Sequence, residues 1–204
     1  MKPLLRWTTR VYDRIAVWYD WLDRWVFTTG RLGRRAVLEN LPEGRLLDVG
    51  CGTGDVLAAV QAAGVTGVGV DASAGMLAKA RRKNGGAVML VQASFYELPF
   101  PAGSFQVVVE TNSLSAADVD PDRALDEMLR VCEPHGELRL ADYAPPIGRA
   151  LTRWERIWWL VGGDFPHDYV SLLDARGCKA DVQMLAGKMY QHIRTRKSGH
   201  SQET

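Results

Sequence analysis

The stretch LLDVGCGTGD, residues 46–55, decides the fold. An apolar run that contains one acid, Asp48, predicts a short buried strand, and glycines follow it at positions 50, 52 and 54. Asp55 then begins a helical pattern, so the stretch predicts the strand, glycine-rich turn and helix that open a doubly wound α/β sheet. Glycines let the backbone approach a ligand closely, and the first N–H groups of the helix point toward it.

The spacing of these glycines separates the possible ligands. A dinucleotide fingerprint, G-x-G-x-x-G, needs its third glycine at position 55, which is Asp55. A carboxylate there would repel a pyrophosphate, so a ligand with a cationic end fits better. Asp71 ends the next strand pattern about twenty residues later, where a carboxylate can accept hydrogen bonds from both hydroxyls of a ribose.

Strand and helix patterns alternate after the turn, which predicts a parallel, doubly wound sheet. Strands are predicted at 45–50, 65–71, 87–93, 105–111 and 136–143, with helices at 55–63, 73–83 and 121–132. A helical insert (147–161 and 167–176) precedes two last strands near 178–186 and 188–196. We expect residues 1–40 to form N-terminal amphipathic helices broken at Gly30 and Gly33. Residues 41–197 then form the ligand-binding domain, and 198–204 form a disordered tail.

The composition fits one globular domain and excludes several classes of protein. The 204 residues are 47% hydrophobic and 24% charged, and the formal net charge of +1 gives no support for a nucleic-acid partner. Three scattered cysteines (Cys51, Cys132, Cys178) lack metal-ligand spacing, so we expect no metal and a reducing, cytoplasmic location. No apolar run approaches the ~18 residues that a membrane span needs.

Four segments in order resemble the class I S-adenosylmethionine (SAM) methyltransferases. They are DVGCGTG (48–54), VGVDAS (68–73), ASFYELPFPAGSFQVVV (93–109) and LRVCEPHGELRLAD (129–142). The resemblance implies an enzyme with a seven-stranded, Rossmann-like α/β sheet and SAM as cofactor. Three positions depart from the family pattern, since Ser94 and Gln106 each replace an Asp and His135 replaces a Gly.

The resemblance also assigns residues to the parts of SAM. The methionine end would lie against Asp48, Gly50, Cys51, Gly52, Glu110 and Thr111. The ribose and adenine would contact Asp71, Ala72, Met76, Ser94 and Phe95. Ser94 stands where the family usually has an Asp that accepts from the adenine amino group. A hydroxyl can still accept that bond, but without charge assistance, at a cost of about 1 kcal/mol.

Aromatic and basic residues collect in two segments outside these motifs. Trp7, Val11, Ile15, Trp18, Leu22 and Trp25 share one stripe at helical spacing, and residues 1–35 carry eight basic side chains against three acidic ones. RALTRWERIWWLVGG (149–163) repeats the theme. Basic, Trp-rich amphipathic helices lie well in an anionic bilayer interface. We therefore expect peripheral contact with the inner leaflet of the membrane and an amphiphilic acceptor, although both helices could instead pack as a lid.

The segment YDRIAVWYDWLDRWVFTTGRLGRRAVL (12–38) resembles two bacterial groups, the phospholipid N-methyltransferases and the quinone-ring C-methyltransferases. Its GRLGRRA stretch favours the phospholipid group, which implies methylation of phosphatidylethanolamine toward phosphatidylcholine. Quinone C-methylation, a soluble small-molecule acceptor under a Trp-rich lid, and a non-catalytic SAM-binding protein remain alternatives.

Candidate acceptor residues follow from the chemistry of methyl transfer, which needs a pocket and a way to handle a proton. The catalytic candidates are Tyr19, Tyr143, Asp164 and His167. The substrate-binding candidates are Arg34, Arg35, Trp154, Trp158, Tyr190 and His192.

Overall fold

The computed structural model describes residues 5–25, 28–116, 118–145, 153, 166–186 and 190–197. The helices are α1 (Leu5–Trp25), α2 (Thr28–Leu38), α3 (Asp55–Ala62), α4 (Ala74–Lys83), α5 (Pro121–Val131) and α6 (Tyr169–Asp174). The strands are β1 (Arg45–Val49), β2 (Thr66–Asp71), β3 (Met89–Gln92), β4 (Phe105–Thr111), β5 (Cys132–Tyr143), β6 (Ala180–Leu185) and β7 (Tyr190–Arg196).

The strands form one seven-stranded sheet in the order β3-β2-β1-β4-β5-β7-β6. β1 pairs in parallel with β2 and β4, β2 with β3, and β4 with β5, whereas β7 runs antiparallel to both β5 and β6. The chain reverses its direction of strand addition between β1 and β4. In open sheets of this kind, that reversal leaves a crevice beyond the carboxyl ends of the two strands. The predicted Rossmann-like sheet is confirmed.

Local signals in the sequence place most of the elements. The Ser73 hydroxyl accepts from the backbone N–H of Met76 at 3.1 Å and so caps α4, as its position before the helical pattern predicts. Asp120 caps α5 in the same way, with Pro121 in the first turn. The predicted helix at 147–161 lies outside the described residues except for position 153, and so does the predicted tail at 198–204.

Two of the three departures from the family pattern, His135 and Gln106, are accommodated in the backbone and in a polar contact. His135 adopts a φ of 65°, the left-handed conformation that a glycine there would take without strain. The Gln106 side chain accepts from the backbone N–H of Arg45 and donates to Glu133, so it joins β1, β4 and the start of β5. Neither position lines the crevice.

The predicted helix breaks at Gly30 and Gly33 are wrong, because both residues lie inside α2. A Cβ atom on Gly33 would stand 2.6 Å from the Tyr190 ring and 2.9 Å from the Ala141 Cβ. The glycine therefore allows α2 to pack closely on β5 and β7. Tertiary contact, which periodicity cannot detect, explains this glycine better than helix termination does.

Substitution of Gly33 tests this contact. Gly33→Ala should lower the free energy of unfolding by about 1–3 kcal/mol, because overpacking against Tyr190 outweighs the roughly 1 kcal/mol gain in helix propensity. Urea denaturation provides the measurement, and Arg31→Ala at an exposed position of the same helix is the control, with a change under about 0.5 kcal/mol. A stabilised Gly33→Ala variant would show that the contact is not tight.

Candidate active site

The glycine turn after β1 brings the backbone against β2 and β4. Gly50 has a φ of 72°, and a Cβ atom there would lie 2.4 Å from the Ser113 side chain. The N–H groups of Gly50 and Cys51 both donate to the carbonyl oxygen of Val70, at 2.8 and 3.0 Å. The turn is therefore fixed where it leaves β1, and only a glycine fits at position 50.

The Asp71 carboxylate, at the end of β2, connects this turn to the start of α4. Its two oxygens accept from the backbone N–H groups of Gly52 at 2.9 Å and Ser73 at 2.8 Å. Each carboxylate oxygen retains a lone pair for a further donor. Two ribose hydroxyls are donors of the right kind for these positions.

A cleft opens beyond the turn, between the carboxyl ends of the strands and helix α1. The described residues that line it come from α1, from the turn after β1, from the ends of β2 and β4 and from the segments that follow β2, β3 and β4. They are Thr9, Tyr12, Tyr19, Gly50, Asp71, Ala72, Ser73, Met76, Phe95, Thr111, Asn112, Ser113 and Val119. One wall is apolar and aromatic around Met76 and Phe95. The opposite wall carries the hydroxyl and amide groups that follow β4.

Beneath the turn, the Asp48 side chain is fully buried, and neither of its oxygens has a hydrogen-bond partner in the described structure. The pKa of this carboxyl is raised from 3.8 to about 8, mainly by burial and then by the nearby acids Asp71 and Asp55, against a lowering effect of Arg34. A buried acid without a partner fits a cationic ligand group such as the SAM ammonium. The residues of the turn therefore fit this cofactor.

Two further buried acids, Glu110 and Asp142, lie where β4 and β5 end. The Glu110 carboxylate accepts from the backbone N–H and hydroxyl of Ser113, and its other oxygen has no partner in the described structure. The Asp142 carboxylate accepts from the Tyr169 hydroxyl at 2.8 Å. Burial raises the pKa of Asp142 to about 6, and burial followed by the nearby Asp142 raises that of Glu110. Glu110 thereby fixes the loop that lines the cleft.

Most of the residues assigned to SAM lie at the cleft or directly behind it. Gly50, Asp71, Ala72, Met76, Phe95 and Thr111 line it, and Asp48, Cys51, Gly52 and Glu110 lie in or beneath its walls. Ser94 precedes Phe95, and its hydroxyl accepts from the backbone N–H of Tyr96. Burial raises the pKa of the Cys51 thiol well above its ordinary value, so this residue is a small buried turn residue and not a nucleophile.

The acceptor candidates are distributed differently: of those that the structure describes, only Tyr19 lines the cleft. Tyr190 is fully buried, and its hydroxyl lies 2.6 Å from the Asn112 amide oxygen and 2.7 Å from the carbonyl oxygen of Ala141. Tyr190 is thus a packing residue behind the cleft and not a surface for substrate. Tyr143 stacks edge-on against it, with ring centroids 5.6 Å apart.

The remaining described candidates lie away from the cleft lining. His192 faces a separate recess bordered by Ala36, Glu39 and Arg139, and His167 stacks edge-on against Tyr169. Burial lowers the pKa of both histidines. Arg34 acts electrostatically on the buried Asp48, whereas Arg35 is exposed on α2. Trp154, Trp158 and Asp164 lie outside the described residues.

Sequence reasoning missed several groups at the site. Thr9, Tyr12, Asn112, Ser113 and Val119 line the cleft, and the Asp13 carboxylate contacts its rim. A signal was present, because Tyr12–Asp13 repeats the Tyr19–Asp20 pair seven residues earlier, on the same helical face. No spacing pattern marks Asn112, whose φ of 59° depends on the loop after β4.

Comparison with known proteins agrees with this geometry. A family model described as "Methyltransferase domain" matches residues 47–140. A demethylmenaquinone methyltransferase of Thermus thermophilus is 37% identical over 175 residues, which cover 76% of this chain and 78% of that protein. The ubiquinone/menaquinone biosynthesis C-methyltransferase UbiE of Geobacter sulfurreducens is 33% identical over 172 residues, 76% of this chain and 67% of its own length.

Solved structures agree as to the fold. A chain in the complex between the Haloferax volcanii Trm112 methyltransferase activator and a methyltransferase superposes with a TM-score of 0.77 at 18% identity. The superposition covers 94% of this chain and 98% of that one. The chain therefore belongs to the class I SAM-dependent methyltransferases, and SAM is its methyl donor. Among the described residues, no cluster of three or more His, Cys, Asp or Glu could bind a metal ion.

Asp71 provides a direct test of the cofactor site. Asp71→Asn should weaken binding of S-adenosylhomocysteine by at least about thirtyfold, about 2 kcal/mol or more, because it removes the charge that we expect to hold the ribose hydroxyls and turns one oxygen that accepts from a backbone N–H into an NH₂ donor. Isothermal titration calorimetry measures this change. Asp181→Asn, an exposed acid on the edge strand β6, is the matched control and should bind as the parent does. Equal affinities for the two variants would remove Asp71 from the site.

The pH dependence of the free energy of unfolding tests the protonation state of Asp48. Because its folded pKa of about 8 lies above the ordinary value of 3.8, the folded state retains a proton that the unfolded state has lost. The stability that this proton contributes to the folded state is fully present below about pH 4 and is lost as the pH rises through about 8. The free energy of unfolding of the cofactor-free protein should therefore fall across this window, by up to about 1.4 kcal/mol per pH unit.

Asp48→Asn removes this titrating group and should make that fall less steep, leaving the contributions of Asp71, Glu110 and Asp142, whose pKa values burial also raises. Urea denaturation at several pH values measures the slopes for the parent, Asp48→Asn and the exposed control Asp174→Asn. The control should follow the parent. If Asp48→Asn also followed the parent, then Asp48 would not be protonated in the folded protein.

Proposed function

We propose that the enzyme transfers a methyl group from SAM to a ring carbon of a demethylated quinol, of the kind that leads to menaquinone or ubiquinone. The relatives named for demethylmenaquinone and ubiquinone/menaquinone methylation support this acceptor. They do not support the phosphatidylethanolamine acceptor and phosphatidylcholine product that the GRLGRRA stretch favours. The proposed acceptor is thus the quinone ring, one of the alternatives to a phospholipid that the sequence left open.

The chemical character of the cleft is the observation that carries the proposal. Beside Asp71, its described lining consists of aromatic rings, small apolar side chains and neutral hydroxyl or amide groups. The rings of Tyr12 and Tyr19 meet edge to face, with centroids 5.9 Å apart. A flat quinol ring can stack against such rings, and its hydroxyl groups can exchange hydrogen bonds with Thr111 and Asn112 and donate to the Ser113 hydroxyl.

The protein must also favour loss of a proton from the quinol. A phenolic hydroxyl has a pKa near 10, so about one molecule in a thousand is ionised at pH 7, and ionisation costs roughly 4 kcal/mol. Hydrogen bonds from the Thr111 hydroxyl and the Asn112 amide to the developing phenolate would lower that cost. Bound SAM supplies an electrophilic methyl group on a cationic sulfur. The residues of the cleft orient the ring carbon toward it, since alignment supplies much of the rate.

Access to such an acceptor requires contact with a membrane, because a quinol with an isoprenoid tail resides in the bilayer. Exposed apolar side chains on α1, with Val17 73%, Trp18 67% and Trp21 60% accessible, support a peripheral location on the inner leaflet. Among the described residues, no helix is both long and apolar enough to cross a bilayer. Because Trp18 and Trp21 face outward, their exposure argues against the alternative in which tryptophans form a lid closed over a soluble substrate.

A turnover assay with SAM labelled in its methyl group distinguishes the acceptors. The protein is incubated in parallel with a reduced demethylmenaquinone in detergent micelles and with vesicles that contain phosphatidylethanolamine. We expect label in the quinone fraction, with a product heavier by one methyl group on a ring carbon. Label only in the phospholipid fraction would overturn the proposal. Label in neither, with S-adenosylhomocysteine still bound, would overturn both acceptors.

Tyr19 is the described residue we propose to contact the acceptor hydroxyl. Tyr19→Phe should lower kcat by about 10²-fold or more if the hydroxyl takes part in proton transfer, with little effect on S-adenosylhomocysteine affinity. Steady-state kinetics with the quinol measures this, and Tyr96→Phe is the control, since Tyr96 is not among the described lining residues and its hydroxyl accepts from the backbone N–H of Asp120. An unchanged kcat would remove Tyr19 from the reaction.

A further inference from the structure

Helix α1 has two faces with different surroundings. Thr9, Tyr12 and Tyr19 project into the cofactor cleft, and Ala16 is buried on the same side. On the other side the side chains of Val17, Trp18 and Trp21 are exposed to 60% or more. Trp18 belongs to the stripe at helical spacing in the sequence, but it does not lie on the face of α1 that packs on the protein.

The inner face of α1 is bonded to the start of α4, next to the ribose-binding loop. The Asp13 carboxylate accepts from the Ser73 hydroxyl and from the backbone N–H of Gly75, the latter at 3.0 Å. Ser73 also donates its backbone N–H to Asp71. One loop thus joins the helix and the cofactor-binding carboxylate.

A second contact lies one turn further along both helices. The Lys79 ammonium donates to the carbonyl oxygens of Ala16 at 3.0 Å and Val17 at 3.1 Å. Lys79 therefore bonds to the backbone of the segment that carries the exposed side chains of Val17 and Trp18. Any displacement of that segment breaks contacts with α4 and opens a wall of the cleft.

The outer face is basic as well as apolar. Arg10 and Arg14 are exposed on α1, and Arg31, Leu32 and Arg35 are exposed on α2, against which α1 packs. Exposed tryptophans with flanking arginines fit the interface of a bilayer that contains anionic lipid. Charge and apolarity together favour this partner over a second copy of a chain whose net charge is only +1.

We infer that an anionic bilayer and the cofactor bind cooperatively, because both favour the same orientation of α1 relative to α4. A bilayer that takes up the outer face limits α1 to orientations in which its inner face lies against α4, and this closes the cleft over SAM. By linkage, SAM must strengthen bilayer binding by the same factor. The inference rests on the membrane contact proposed above, but it does not depend on which acceptor is methylated.

Calorimetry with acceptor-free vesicles tests this coupling. The affinity for S-adenosylhomocysteine is measured without vesicles, with phosphatidylcholine vesicles, and with vesicles of phosphatidylcholine and phosphatidylglycerol. Only the last should tighten binding, by about fivefold or more, the lower end of ordinary coupling between two sites. In a co-sedimentation assay, S-adenosylhomocysteine should strengthen vesicle binding by the same factor.

Variants separate the two faces of α1. The double variant Trp18→Gln, Trp21→Gln should bind S-adenosylhomocysteine as the parent does in solution but lose the response to vesicles. Met89→Gln, which changes an equally exposed apolar residue on the edge strand β3, should retain it. Asp13→Asn should still sediment with vesicles, while its S-adenosylhomocysteine affinity should respond less to them.

The failures of this inference and of the proposed function are distinguishable. Vesicle binding with no change in S-adenosylhomocysteine affinity would overturn the coupling and leave the membrane contact. Absence of vesicle binding, or concentration-dependent dimerisation through Trp18 and Trp21, would overturn both the coupling and the membrane partner. The quinol assay in micelles reports the acceptor in either case.

Discussion

The cleft depends on one carboxylate, Asp71, that joins two separate segments of the chain. Its bonds to the N–H groups of Gly52 and Ser73 fix the turn after β1 relative to the start of α4. Charge-assisted bonds of this kind are roughly twice as strong as neutral ones. Through Ser73 the same loop reaches Asp13 on α1. The cofactor site and the helix that covers it are therefore one hydrogen-bonded unit.

Buried acids give this unit its chemical character. The oxygens of Asp48 lack partners in the described structure, and Glu110 shares its carboxylate with the Ser113 loop. Such groups cost free energy in the cofactor-free protein, and a ligand with a cationic end can offset that cost. The arrangement follows the general expectation that stability is sacrificed at binding sites. It also explains why an acid lies inside the otherwise apolar strand β1.

The sequence could predict what depends on local chemistry. The glycine turn, the Ser73 cap and Asp71 at the end of β2 all depend on a few adjacent residues, and the family resemblance added Ala72, Met76, Phe95 and Thr111, which line the cleft. Gly33 could not be predicted, because its role depends on Tyr190, more than 150 residues away. The orientation of α1 could not either, since an amphipathic stripe does not state which face the protein covers. Trp18 is exposed, whereas Tyr12 lines the cleft and Asp13 bonds to Ser73 at its rim. The preference for a phospholipid acceptor rested on one short basic segment, and acceptor identity is the property that a shared fold specifies least.

The central claim is that the Asp71 bonds organise the cleft before the cofactor arrives. Hydrogen exchange at the backbone amides of Gly52 and Ser73 in the cofactor-free protein measures this most directly. We predict slow exchange at both amides in the parent protein, with faster exchange at both in an Asp71→Ala variant that otherwise retains its protected core. Fast exchange at both amides in the parent, slowed only by S-adenosylhomocysteine, would contradict the account, because the ligand and not Asp71 would then form the site.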